Sequence, residues 1–161
     1  MFDHIDTTVV FVDHDKGRFV VEAEQQPRHE DHQEAGDVMR MWMVPTRFMC
    51  RKHLLGEHVE HHMLVGSIHK GLSMAGFVNN NLLEPRSILT RHHELVQEME
   101  RRGYKHNSPL TSVDLSGLPA EHALAMVDGE TSLLDLLSRC PDCSARYIDQ
   151  VEAGFGLAQE I

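Results

Sequence analysis

Two helical apolar patterns separated by a turn-rich crossing constrain this chain more than any other feature. Val44-Pro45-Thr46 introduces the first, because Pro suits an opening helical turn. Phe48, Met49, Leu54, Leu55, Val59, Met63 and Ile68 then recur at helical spacing, which predicts a helix over 45–70 with these side chains buried and Gly71 as its terminator. The second pattern lies over 86–102, where Ile88, Leu89, Leu95, Val96 and Met99 mark one face and Gly103 supplies a cap. Between them, Gly76 and Asn79-Asn80-Asn81 suit an irregular loop over 73–85. After the turn at Pro109, Leu118-Pro119-Ala120-Glu121 opens another helix, and residues 132–138 form a further short one. Adjacent amphipathic helices bury their stripes against one another, so the body is expected to be mainly α.

The N-terminal end has a different period. Thr7-Thr8-Val9-Val10-Phe11-Val12 and Arg18-Phe19-Val20-Val21-Glu22-Ala23 are β-branched and aromatic runs, separated by Asp13-His14-Asp15-Lys16-Gly17 with its turn chemistry. They predict a β-hairpin extension over 1–24. Two strands alone are marginal in water, so the hairpin needs the helical body, a second copy or a partner protein to pack against. Residues 25–38 are charged and lack a run of large apolar side chains, which reads as a linker, and 39–161 form the helical domain. No apolar run approaches the ~20 residues of a bilayer span, and Met1 to Asp6 has no basic n-region, so neither a membrane helix nor a secretory signal is expected.

The 161 residues carry 15 Lys plus Arg against 25 Asp plus Glu, a formal charge of -10 with neutral histidines. Spread evenly, that charge would repel DNA phosphates. It is not spread evenly. Residues 1–38 carry three basic and ten acidic side chains, residues 39–110 ten basic and six acidic, and residues 111–161 two basic and nine acidic. A middle of +4 therefore lies between two flanks of -7 each.

Within that basic middle, Met39-Arg40-Met41-Trp42, the run from Cys50 through His53-Leu54-Leu55-Gly56-Glu57 to Glu60, and Arg91-His92-His93-Glu94 through Arg101-Arg102-Gly103-Tyr104 stand in characteristic order. With Asp114-Leu115-Ser116-Gly117-Leu118-Pro119 they resemble the pyrimidine-dimer DNA glycosylase family, the endonuclease V type of T-even phages, over about 39–119. The resemblance implies a compact helical domain of that type, acting on duplex DNA inside the cell, with a phage genome in a bacterial host as one source. It implies glycosylase and AP lyase chemistry through an amine Schiff base, with Glu60 as the assisting carboxylate, Arg40 orienting sugar or phosphate, and no cofactor needed for catalysis. The family's amine falls on Met39, whose nitrogen is an amide in this chain. Processing or internal initiation near Met39 would free it, or a lysine such as Lys52 would replace it. Val59 and Met63 stand where the phage enzyme places arginines. These departures keep a second expectation open: a non-catalytic binding or assembly protein of the same fold.

Three constellations follow from the residues themselves. His53, Glu57 and Glu60 fall on one helical face, where carboxylates could serve as acid or base or could pair with Arg91, Arg101 or Arg102. Cys50 and His53 are spaced Cys-x2-His, and Cys140 and Cys143 form a Cys-x2-Cys knuckle; together they suit structural zinc, the alternative being three reduced thiols. Arg47, Arg51, Lys52, Arg91, Arg101, Arg102 and Lys105 could track phosphates, unless they pair with acids of the same molecule. Of the 13 His, most are expected at the surface, although the i, i+4 spacing of His58 and His62 could hold a metal.

Overall fold

In the computed structural model the chain divides into two compact units, residues 1–38 and 39–161. The structure describes residues 38–158 and, in the first unit, a short ladder in which β1 (Phe11–Val12) pairs antiparallel with β2 (Phe19–Val20). The remainder of the expected hairpin, and the expected linker up to residue 37, lie outside the described residues.

The second unit is helical, as expected. Its elements are α1 (Arg51–His69), α2 (Ala75–Asn79), α3 (Ile88–Arg101), α4 (Ala120–Ala123), α5 (Gly129–Arg139) and α6 (Pro141–Ala158). Gly71 and Gly103, at φ +70° and +78°, take the left-handed turns that end α1 and α3.

Three details differ from expectation. Pro45 opens only one 3-10 turn, Thr46–Phe48, before Met49 and Cys50 become extended and α1 starts afresh at Arg51. The reason is a competing donor: Arg102 donates to the carbonyls of Met49 at 2.8 Å and Thr46 at 3.0 Å, groups that a continuous helix would have used itself. The 73–85 crossing contains the short α2. The last element, α6, was not expected at all; it continues from Pro141 and packs on the 46–48 turn, where Phe48 and Tyr147 meet edge to face at 4.9 Å between centroids.

Two apolar clusters form the core. One gathers Trp42, Val44, Met49, Leu54, Leu95, Met99 and Leu136 around the three cysteines. The other gathers Met41, Leu64, Val65, Ile68, Met74, Leu83, Ile88 and Val127. The segment entering α1 joins them, since Met41 faces one cluster and its neighbour Trp42 the other, as alternation along an extended chain requires. Met41 N donates to Leu82 O at 2.8 Å, fixing this segment against the crossing.

The face that α1 buries is more polar than its apolar spacing predicted. Val59 and Met63 are 55% and 54% exposed, while His53, Glu57, His58 and His61 are buried beside Leu54, Leu64, Val65 and Ile68. Burying such groups is costly unless each finds a partner. Much of that partnership comes from α3.

Candidate active site

Glu57 and Glu60 stand almost one turn apart on α1 but have different surroundings. Glu57 is 1% exposed; its two oxygens accept from Arg91 Nε and a terminal Arg91 nitrogen, both at 2.9 Å, and Oε1 also accepts from Trp42 N at 3.0 Å. Arg91 is itself buried, and the attraction of Glu57 and Glu94 outweighs burial and raises its pKa above the usual arginine value. Every oxygen of Glu57 is thus committed to the core, which is the structural role weighed against catalysis for this residue. Glu60 is only half-buried, and its Oε2 accepts from Arg40 N at 3.1 Å. That contact places a carboxylate at the residue directly after Met39.

The Arg40 side chain is tied to α5. Its guanidinium donates to Asp135 Oδ2 at 2.9 Å and Ser132 Oγ at 3.0 Å, and lies 4.0 Å from the centre of the Trp42 ring. Arg40 Nε is buried without a hydrogen-bond partner. Burial lowers the guanidinium pKa and Asp135 opposes the shift. Neither Asp135 nor Ser132 could be identified from sequence, since both lie more than ninety residues from Arg40; the Arg40-x-Trp42 spacing was the only local sign of a built environment.

The basic residues divide in two. Arg47, Arg51, Lys52 and Lys105 are exposed, and Arg101, though paired with Glu98 at 2.7 Å, keeps 61% of its side chain open. Arg91 and Arg102 have other tasks than phosphate contact: Arg91 neutralises Glu57, and Arg102 bonds Glu98 at 2.6 Å while capping the Met49 and Thr46 carbonyls. Their guanidinium donors are used inside the molecule.

The cysteine expectation concerned whether two distant halves meet, and they do. Cys50 Sγ lies 3.3 Å from His53 Nδ1 and 3.9 Å from Cys140 Sγ, and Cys143 Sγ lies 3.5 Å from His53 Nδ1. All four ligand atoms fall within 4.8 Å of one another. A zinc ion with bonds of about 2.3 Å to sulfur and 2.0 Å to nitrogen has tetrahedral edges of roughly 3.5–3.8 Å, so the donor set and spacing are compatible with zinc. Cys140 and Cys143 do not form a loop knuckle; they straddle the α5–α6 junction, with Cys143 in the first turn of α6. Burial pushes the Cys143 thiol far above its ordinary pKa. A bound cation would reverse that shift.

Nine of the 13 histidines fall among the described residues. Among those described, only His69 and His93 are exposed, while His53, His58, His61 and His92 are buried. His58, His62, His92 and His106 cluster between α1, α3 and the segment following α3. His61 is used separately, its Nδ1 donating to Glu57 O at 2.7 Å.

The segment that carries Arg40, α1 and α3 is covered by one comparison with known proteins. Residues 39–112 match the pyrimidine dimer DNA glycosylase family. The match bears out the resemblance through α1, the crossing and α3, and leaves α4 to α6 outside it. No curated protein and no solved structure matches the chain. Within the matched stretch, Glu60 is half-buried and Glu57 is locked in the core. Among the described residues, no helix is long and apolar enough to cross a membrane.

Proposed function

We propose that the chain is a glycosylase and AP lyase for pyrimidine dimers in duplex DNA, using the α-amine of Met39 once residues 1–38 are removed or bypassed. The observation that carries this reading is the 3.1 Å bond from Arg40 N to Glu60 Oε2, which sets the carboxylate one residue from the family's amine position. The boundary between the two compact units falls between Val38 and Met39, and Val38 is 52% exposed.

In this scheme the freed amine attacks the sugar C1′, and the glycosyl bond breaks with its electron pair leaving on the base. Glu60 accepts the proton that the amine sheds and returns it as the sugar ring opens to the imine. Loss of a C2′ proton then expels the 3′ phosphate. Displacing the damaged bases from the stack precedes attack. Arg40, clamped by Asp135 and Ser132, orients sugar or phosphate, and exposed Arg47, Arg51, Lys52, Arg101 and Lys105 track the backbone. Cys50, His53, Cys140 and Cys143 would hold a structural zinc, which would supply stability and no catalytic step.

Borohydride trapping on dimer-containing duplex tests the proposal. A covalent adduct is expected with the chain beginning at Met39, with at least a tenfold drop in Glu60→Gln. An adduct with the full chain, lost in Lys52→Ala, would move the nucleophile to Lys52. No adduct with either chain overturns the lyase and leaves a binding or assembly protein, for which the enclosed Arg91 and Arg102 and the amide at Met39 already speak.

A further inference from the structure

The glycosylase reading makes no use of the imidazole cluster. His58 and His62 stand one turn apart on α1, His92 projects from α3, and His106 comes from the segment after it. Ring centroids lie 4.7 Å apart for His58 and His92, 5.0 Å for His58 and His106, and 5.5 Å for His92 and His106. One ligand nitrogen from each of these three falls within 4.8 Å of the other two. His62 adjoins them, its Nε2 lying 3.2 Å from His92 Nε2.

Two features set this cluster apart from ordinary packing. His58 is 6% exposed, yet its Nε2 has no hydrogen-bond partner, a deficiency that a native core rarely tolerates without something to answer it. Among the described residues, no carboxylate joins the cluster to hold protonated rings together. Burial, followed by the neighbouring imidazoles, holds His58 and His92 at about 4, so both rings are neutral with a lone pair available at neutral pH. Neutral imidazoles converging on a buried, unanswered nitrogen are the state in which histidine binds metal.

We propose that His58, His92 and His106 form a second metal site, taking a divalent transition ion of the zinc class, with His62 beside it. An all-imidazole set favours zinc, nickel or copper over magnesium or calcium, and three such ligands leave a coordination position open. Bonds of about 2.0 Å imply nitrogen separations near 3.4 Å, which small side-chain rotations reach from the present spacing. The site is separate from the thiol cluster in every residue, and its existence does not depend on the lyase chemistry.

The test counts zinc in the full chain after chelator treatment, dialysis and titration with Zn²⁺ against a competing chelator. His106→Ala is the deciding variant, because His106 is half-buried outside the helices and its removal leaves α1 and α3 intact. One equivalent of zinc lost between the natural chain and His106→Ala, or at least a tenfold weaker affinity for it, is expected. The same equivalent should persist in Cys140→Ser and disappear in His58→Asn/His92→Asn. Because the comparison is a difference, it holds whether or not the thiol cluster binds its own ion. Equal zinc content and equal affinity in His106→Ala and the natural chain overturn the proposal.

Discussion

The family-matched stretch and the C-terminal helices satisfy their charges in different ways. Within residues 39–112, α1 and α3 pair internally: Glu57 with Arg91, and Glu98 with Arg101 and Arg102. Helix α5 instead reaches across, giving Asp135 and Ser132 to Arg40, and the α5–α6 junction gives two thiols to a cluster begun by Cys50 and His53. The acidic addition is therefore not simply a layer that repels DNA from a basic core. One of its carboxylates is part of the setting of Arg40, and its helices close on the segment that leads into α1.

Breaking the internal pair should have the largest effect. Arg91→Ala strands the Glu57 carboxylate at 1% exposure, and losing one partner of a buried pair costs about 3–5 kcal/mol, read as a lower urea midpoint at unchanged slope. Replacing both at once, Glu57→Leu with Arg91→Met, should cost less than Arg91→Ala alone, because no charge is left stranded. A double variant as damaged as the single one would mean that Trp42 N, which also bonds Glu57, is the contact that matters.

The junction comes next. Cys143→Ser removes a fully buried donor from the thiol cluster, and chelation of the natural chain should reproduce much of that loss. If zinc is present at a thousandfold over its dissociation constant, its contribution is about 4 kcal/mol. Calorimetry with and without chelator checks it: the chelator should lower the melting temperature of the natural chain and change that of Cys143→Ser much less.

These two regions were unequally legible in the sequence. Cysteine and histidine spacing names coordination chemistry by residue type, so the four residues of the cluster could be proposed from opposite ends of the domain. Arg40 and Glu60 were found through the family pattern. The buried side of α1 was misread because periodicity weighs each residue by its own hydrophobicity, which put Val59 and Met63 inside. Glu57, His58 and His61 took part of that face because of what α3 and the Glu57 carbonyl supply, and hydropathy along one helix cannot register a guanidinium arriving thirty-four residues later. For the same reason Asp135 and Ser132 left no mark.

A smaller effect is expected at the bridge between the two regions. Asp135 is 28% exposed in its side chain and shares its carboxylate between Arg40 and Arg139, so Asp135→Asn should cost only about 1 kcal/mol. Its use lies in a split readout. If α5 only adds stability, Asp135→Asn lowers the denaturation midpoint and leaves DNA binding alone. If α5 sets the Arg40 geometry, the variant also weakens dimer-specific binding relative to undamaged duplex at fixed salt.

The smallest effect belongs to Glu98, where the internal pairing of the matched stretch can be read as a pH dependence. Hydrogen bonds from Arg101, then Arg102, hold the Glu98 carboxyl below its ordinary 4.5 in the folded chain, while unfolding returns it to that value. The unfolded state therefore binds more protons between the two pKa values, and stability falls as the pH drops through that window. Above about pH 5 the contribution is fully present; below the folded value it is gone. Glu98→Gln should flatten the acid limb of the stability curve while costing less than about 1 kcal/mol near neutrality, because Arg101 is largely solvated. A larger loss at neutral pH would place the effect on Arg102, whose hold on the Met49 and Thr46 carbonyls ends the 3-10 turn and lets α1 begin at Arg51.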